Sequence, residues 1–289
     1  KVGLLTDLGF VADAVLADDP RALERIADTA GPVRSNPVLL ARQLRANVAL
    51  LPGLRAELDA LLDRDRHDLV LADFTAPVAG LVALDRGLPW LTVMPTPFVL
   101  ETRTGTPAYC GGLGPARHAG HRLRDAAGRA ATRGTKLTMQ RVFAARLAAA
   151  GTSVYRPDGS EAAYSPRSIL ALGMRELELP RDWPAHVELV GPVTATPEPW
   201  PFAPELPPGP LVLVTLGTHL GWAKGDLVAR VRRLASAFGG HRFVVSLGDG
   251  AHAGPAPVHV SGNVTVFAHL PYDDVVPRCA AVVHHGGAG

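Results

Sequence analysis

The sequence has 289 residues, of which 47% are hydrophobic and 19% are charged, a composition typical of a globular chain with about two domains. Its 29 basic and 27 acidic residues leave a formal net charge of +2, so the chain has no broad basic field for nucleic acid. No apolar run reaches the roughly 18 residues that a membrane span requires. Cys110 and Cys279 have neither disulfide nor metal-site spacing, which indicates reduced thiols in a cytosolic protein.

The first part of the chain predicts one short strand followed by helices. The apolar residues 2–6 predict a buried strand, and residues 21–30 predict a helix. Residues 37–62 repeat leucine and valine every three or four positions, which predicts a long helix. Pro52 and Gly53 are expected to kink or divide that helix.

A strand–helix–strand rhythm comes next. Residues 68–73 form an apolar run that ends in Asp73, residues 77–86 have a helical pattern, and residues 90–94 form a second apolar run. This order is typical of parallel strands joined by a crossover helix. The loop at 95–120 is longer than an ordinary connection, which indicates that it is either functional or mobile.

The middle of the chain predicts a domain boundary. The first half is completed by a helix over 122–150 and by strands over 168–172 and 187–192. Seven prolines then fall between residues 194 and 210, a density that excludes a helix or a central strand and predicts a stiff linker. We therefore expect an N-terminal domain at 1–193, a linker at 194–210 and a C-terminal domain at 211–289.

The alternation of strands and helices restarts after the linker. Strands are predicted over 211–215, 242–247, 264–266 and 281–283, and helices over 226–238 and 273–278. The last strand runs into His284, His285 and the glycine-rich end of the sequence. Glycines let backbone N–H groups approach phosphate oxygens, and a following helix would add its positive end. The loop therefore predicts a phosphate site, with a purely structural glycine turn as the alternative.

Two further turns are expected at the same edge of this sheet. Leu216-Gly217-Thr218 follows the first of these strands, and Leu270-Pro271-Tyr272 follows the third. Ligands of such folds bind where parallel strands end, so three loops there can hold the base, ribose and diphosphate of one nucleotide. The glycine spacing is neither G-x-G-x-x-G nor a P-loop, which argues against NAD and ATP.

Residues 264–289 resemble the donor-binding signature of the family 1 glycosyltransferases, most closely the bacterial branch that decorates antibiotics, sterols and carotenoids. The resemblance is carried by Leu270-Pro271-Tyr272 and by the run from Pro277 to Gly289, and the linker and the Leu-Gly-Thr turn match the family's layout. It implies a GT-B fold, an α/β architecture of two Rossmann-like domains with facing parallel sheets. The C-terminal domain is expected to be incomplete in this sequence.

The resemblance also implies roles for individual residues. Contacts with the donor diphosphate are assigned to Gly217, Thr218, His285, Gly286, Gly287 and Gly289. Leu270 and Tyr272 match the turn that binds the base. Asp73 matches the acid that orients a catalytic histidine, with capping of the next helix as its structural alternative. Phe98, Glu101 and Tyr109, in the loop that follows a strand, are expected to line the acceptor pocket.

Two functional elements of the family have no match in the sequence. No Gly-His-x-x-Pro motif occurs near Lys1, so the first strand and the loop with the catalytic base are expected to lie before it. The acidic residue and glutamine that bind sugar hydroxyls in the family have no counterpart before Gly289, and the sugar is therefore not predicted.

The resemblance implies an inverting transfer of a sugar from a UDP or dTDP donor to a hydroxyl of a lipophilic natural product. The expected enzyme needs no metal and no cofactor. A homodimer is among its expected oligomeric states. His118 and His121 have no partners at metal-ligand spacing. Two rival functions remain: a nucleotide-sugar epimerase of the same architecture, and a non-catalytic nucleotide-sugar-binding protein that assists a glycosyltransferase.

Overall fold

The computed structural model describes residues 2–16, 18–19, 22, 37–109, 113–193, 201–218 and 221–286. The chain divides into two compact units, the first made of Lys1–Leu23 and Ala41–Val193 and the second of Glu24–Leu40 and Thr194–Gly289. The division at Val193 falls where the proline-rich linker is predicted to begin. Most of the predicted helix at 21–30, the linker segment 194–200 and Cys110 lie outside the described residues.

The chain up to Val193 contains a four-stranded parallel sheet with helices. In chain order the elements are α1 (Val2–Asp7), α2 (Pro37–Arg64), β1 (Val70–Asp73), α3 (Val78–Asp85), β2 (Trp90–Met94), a 3-10 turn (Pro97–Val99), α4 (Ala119–Val142), α5 (Ala144–Ala149), β3 (Ile169–Ala171), a 3-10 turn (Arg175–Leu177) and β4 (Val187–Leu189). The strand order is β1-β2-β3-β4, and each neighbouring pair is parallel. The predicted strand–helix–strand unit is confirmed.

The predicted strand at residues 2–6 is wrong, because these residues form helix α1. The helix ends at Asp7 and is followed by Gly9, whose φ of +84° is the left-handed conformation that glycine adopts without strain. Two hydrogen bonds close this end, from the Gly9 N–H to the Thr6 carbonyl (2.9 Å) and from the Phe10 N–H to the Leu5 carbonyl (3.0 Å). This pair is a Schellman motif. Gly9 is the helix-stop signal in the sequence, and it lies beyond the apolar run that predicts a strand.

Two helix predictions also differ from the structure. Helix α2 continues through Pro52 and Gly53, because its apolar side chains, including the buried Leu54, pack on Val78 and Val82 of α3. The helix predicted over 122–150 is two helices, since the backbone leaves the helical conformation at Phe143 (φ −104°, ψ 11°).

The chain from residue 201 forms a five-stranded sheet. Its elements are β5 (Leu211–Thr215), α6 (Gly221–Ala235), β6 (Arg242–Ser246), a 3-10 turn (Gly250–His252), β7 (His259–Ser261), β8 (Val264–Phe267), α7 (Tyr272–Val275), a 3-10 turn (Val276–Arg278) and β9 (Cys279–His284). The strand order is β7-β8-β6-β5-β9. The β7–β8 pair is antiparallel and the other pairs are parallel. The three residues of β7 are exposed and form no apolar run, so the sequence did not predict this strand.

Alternate residues of β5 pack into cores on opposite faces of the second sheet. Val212 and Val214 pack with Val231 on α6, whereas Leu213 packs with Val244 in a second cluster on the other face. Burying apolar surface at about 25 cal/mol per Å² is the main term that stabilises such a layer. Because β5, β6, β8 and β9 run in the same direction, their carboxyl ends lie at one edge. No helix in the described ranges is long and apolar enough to cross a membrane.

Candidate functional site

The turns that follow β5 and β9 meet at the carboxyl edge of the second sheet. The two strands are parallel neighbours, and Thr215 is in register with His284. Gly217 has a φ of +70°, and a β carbon placed on it would lie 3.1 Å from Cε1 of His285. The His285 ring therefore lies against the Gly217 turn, which brings together two of the predicted diphosphate-binding loops.

The two neighbouring histidines of the closing loop have different surroundings. The His284 Nδ1 accepts the N–H of Gly286 at 3.2 Å, and Gly286 has a φ of +77°. His285 is exposed, and no hydrogen bond within the described part of the chain occupies its ring. His285 is thus available to a ligand, whereas His284 shapes the loop. Gly287 and Gly289 lie outside the described residues, and their roles stay predictions.

Gly248, two residues after the end of β6, lies directly against the Gly217 turn and was not singled out from the sequence. Its φ is +69°, and a β carbon there would overlap the carbonyl oxygen of Gly217 and lie 3.0 Å from Cα of Thr218. Only a residue without a side chain allows this approach. A glycine directly after a strand was the available signal, but the contact it makes depends on the neighbouring strand.

We expect Gly248→Ala to weaken nucleotide binding by about tenfold and to lower stability by about 1–3 kcal/mol, because the new methyl group displaces the turn and strains the backbone. Calorimetric titration with dTDP and thermal unfolding measure the two effects. Gly250→Ala is the matched control, since a β carbon at Gly250 meets nothing within 4 Å. Equal affinities in the two variants would show that Gly248 does not position the turn.

Side-chain hydrogen bonds tie together the strand ends beneath the turns. The hydroxyl of Tyr272 lies 2.9 Å from Oγ1 of Thr215 and donates to Oγ of Ser246 at 3.1 Å. The same Thr215 oxygen accepts the N–H of Gly217 at 3.0 Å. The Gly217 N–H is therefore already bonded within the turn, and contact of Thr218 with a phosphate stays a prediction.

The two predicted base-binding residues differ in exposure. The side chain of Leu270 is fully buried with Leu213 and Phe267, so this residue can reach a base only through its backbone. Tyr272 is half-buried, and its ring lies 5.4 Å from that of His269. Burial lowers the pKa of His269, which favours a neutral imidazole beside this turn.

Asp73 lies at the carboxyl end of β1, as predicted, and its carboxylate bonds locally. Its Oδ1 accepts the N–H of Thr75 at 2.8 Å and the Thr75 hydroxyl. The alternative reading as a helix cap is wrong, because the N-cap position of α3 is Pro77 and no side chain caps this helix. No histidine within the described residues forms a hydrogen bond with Asp73, and its role in orienting a base stays a prediction.

The three predicted acceptor residues have two kinds of environment. The rings of Phe98 and Tyr109 meet edge to face with centroids 6.4 Å apart. Tyr109 has a φ of +61°, a conformation that is strained for a bulky residue and is common at functional sites. Glu101 lines a cavity of about 1010 Å³ in the first unit. Phe98 and Tyr109 do not line this cavity.

The Glu101 carboxylate is held by its neighbours. It accepts hydrogen bonds from the Tyr155 hydroxyl at 2.5 Å and from Arg133 at 2.9 Å, and Nζ of Lys136 lies 3.2 Å away. Burial alone would raise the pKa of Glu101, but these hydrogen bonds and charges outweigh it and lower the pKa. Glu101 therefore joins α4 to the long loop and has little capacity left for a ligand.

Metal-ligand clusters are missing from the described ranges, where no group of three or more histidine, cysteine, aspartate or glutamate side chains could hold a metal ion. Cys279 is a free thiol. Its Sγ lies 3.2 Å from the Val275 carbonyl, and burial raises the pKa of this thiol. It thus resembles the inert, reduced cysteine that the sequence predicts.

Comparison with known proteins identifies the fold as that of the GT-B glycosyltransferases. The structure is similar to the glycosyltransferase of kitacinnamycin, with a TM-score of 0.60 and 22% identity over 90% of this chain and 62% of that one. It is also similar to the glycosyltransferase VinC in complex with dTDP, with a TM-score of 0.51 and 20% identity over 100% of this chain and 67% of that one. The predicted GT-B fold is thereby confirmed.

The sequence comparison leads to the same group of proteins. The chain is 33% identical to aklavinone 7-beta-L-rhodosaminyltransferase of Streptomyces galilaeus over 119 residues. These residues make up 40% of this chain and 26% of that protein. The chain thus spans about a quarter of this relative and 62% of the kitacinnamycin glycosyltransferase. No protein-family model matches the chain. The similarity to bacterial antibiotic glycosyltransferases that the sequence predicts is confirmed.

Proposed function

We propose that the protein transfers a sugar from a nucleoside diphosphate to a hydroxyl of a lipophilic natural product, with inversion at the anomeric carbon. The contact between the Gly217 turn and His285 carries the proposal, because it brings together two loops from neighbouring strands that are both predicted to bind phosphate. The dTDP complex of VinC makes dTDP the first nucleotide to test, with UDP as the second.

The proposed reaction is a direct displacement. The acceptor oxygen forms a bond to the anomeric carbon while the bond from that carbon to the diphosphate oxygen breaks, and a general base takes the hydroxyl proton. His285 and the N–H groups of the glycine loop stabilise the negative charge that grows on the leaving diphosphate. In this proposal Asp73 orients the base, and neither a metal nor a cofactor takes part.

The proposed acceptor site is the loop that follows β2. The paired rings of Phe98 and Tyr109 offer an apolar surface that suits a lipophilic aglycone. Glu101, whose carboxylate is already bonded to Arg133 and Tyr155, supports this surface by holding the loop on α4. Acceptor specificity is expected to change with Phe98 and Tyr109 rather than with Glu101.

The test combines the protein with dTDP-glucose or UDP-glucose and a flat apolar polyphenol, with aklavinone as the first acceptor. We expect a glycoside of inverted configuration, determined by NMR coupling constants, at a rate that EDTA does not change. Release of nucleoside diphosphate should require the acceptor. An epimerised donor sugar without acceptor would favour an epimerase, and tight dTDP binding without any turnover would favour the auxiliary binding protein.

A further inference from the structure

Lys224 lies beside the predicted phosphate turn and was not singled out from the sequence. It belongs to the first turn of α6, the helix that follows the β5 turn, and it is half-buried. Its Nζ donates a hydrogen bond to the carbonyl oxygen of Thr218 at 3.0 Å. The ammonium group therefore contacts Thr218, one of the residues that are predicted to bind the diphosphate.

The charge of Lys224 is not neutralised at short range. A carbonyl oxygen carries no net charge, and no carboxylate among the described residues forms an ion pair with Lys224. Asp249 and Lys224 both act electrostatically on His269, so Asp249 is the acidic residue to consider as a partner. Its carboxylate, however, is hydrogen-bonded to His252 at 2.8 Å. An ammonium group has three donors, of which Thr218 takes one.

Two groups of different chemistry flank the same turn. Lys224 contacts Thr218 from the side of α6, and His285 lies against Gly217 from the side of β9. The start of a 15-residue helix adds its partial positive charge to the Lys224 side. A single phosphate needs one such partner, whereas a diphosphate has two anionic groups and can use both.

We propose that Lys224 is a diphosphate-binding residue of the donor site and supplies the positive charge on the α6 side of the Gly217–Thr218 turn. This inference rests on the proposed function and names a residue that the family resemblance did not assign. The negative charge of the diphosphate grows as its bond to the sugar breaks, so the ammonium group stabilises the leaving group as well as the bound donor.

The test is calorimetric titration of the full chain with dTDP, UDP and thymidine at low salt. We expect Lys224→Met to raise the Kd for both diphosphates about tenfold, the usual size of a charge-assisted contact, and to leave the Kd for thymidine unchanged. Lys224→Arg should keep most of the affinity. The difference between wild type and Lys224→Met should shrink as salt is added, because salt screens partly exposed charges.

Arg230→Met is the matched control, because it removes a positive charge from an exposed position on the same helix. It should change each Kd by less than about twofold. Unchanged dTDP binding by Lys224→Met would overturn the inference, and so would an equal loss of dTDP and thymidine, which would indicate a purely structural role. Failure of the wild type to bind either diphosphate would instead overturn the proposed function, and the inference with it.

Discussion

Replacement of His285 by alanine is expected to lower kcat/KM for sugar transfer by a factor of about 100 to 1,000, the usual effect of removing one group that stabilises an oxyanion. The ring lies against the Gly217 turn and is free to donate to the diphosphate. Because the charge it meets grows as the sugar departs, most of the loss should appear in kcat. Steady-state kinetics with varied donor concentration separate kcat from KM.

Two control variants sharpen this experiment. His241→Ala removes the same ring type next to Phe238, before β6 and at the opposite end of the sheet, and should leave turnover unchanged. His284→Ala removes the acceptor of the Gly286 N–H and should have an intermediate effect through the shape of the loop. A His285→Ala variant with full turnover would contradict the assignment of the donor site.

Lys136→Met is expected to lower the free energy of unfolding by about 3 kcal/mol, the lower end of the range for breaking a buried ion pair, because it leaves the half-buried Glu161 carboxylate without a counter-charge. Lys136 is 9% exposed, and its ammonium group bonds to Glu161 and lies 3.2 Å from Glu101. Burial alone would lower the pKa of Lys136, but the charge and hydrogen bond of Glu161 outweigh it, so the net pKa is raised.

The pH dependence of stability follows from these shifts. A raised lysine pKa contributes stability in full below the pKa of the unfolded state, and the contribution is lost as the pH rises through the folded pKa. The pKa of Glu101 is lowered in the folded state. It therefore contributes stability above the pKa of the unfolded state, and this contribution is lost as the pH falls through the folded pKa. The stability of Lys136→Met should therefore change less than that of the wild type at both the alkaline and the acidic ends.

Denaturant unfolding of Lys136→Met, Arg141→Met and Lys136→Met/Glu161→Gln measures these effects. Arg141→Met is the control on the same helix, since Arg141 is exposed, and it should change stability by less than about 0.5 kcal/mol. Neutralising Glu161 in the double variant should restore part of the loss. A loss below about 1 kcal/mol for Lys136→Met alone would show that the cluster contributes no more than a surface ion pair.

The sequence predicted the buried parallel strands best. The apolar runs at 90–94 and 211–215 match β2 and β5 residue for residue, because strands covered on both faces need continuous apolar sequence. β7 could not be recognised, since its exposed residues take their conformation from pairing with β8. α1 was mistaken for a strand because a short apolar run fits both structures, and the stop signal at Gly9 lies outside the run.

The candidate site was predictable where glycine and a strand end coincide. Gly217 and the loop at His285 were found from such patterns, and the structure places them in contact. Gly248 and Lys224 were missed, because each acts on the Gly217–Thr218 turn from another element. Their positions depend on strand order and helix direction, which single-sequence patterns do not specify. The contacts of Glu101 with α4 likewise depend on how the helix packs against the long loop, which the sequence pattern does not specify.

The turn at Gly217 continues from β5, which is buried at all five positions and pairs with a parallel strand on either side. Backbone held in this way has little conformational freedom to lose, so fixing a diphosphate on it costs little entropy. A diphosphate bound as proposed would meet donors that are already in place. Affinity for the diphosphate can then change through single side chains at the rim of the turn, without refolding of the strand that supports it.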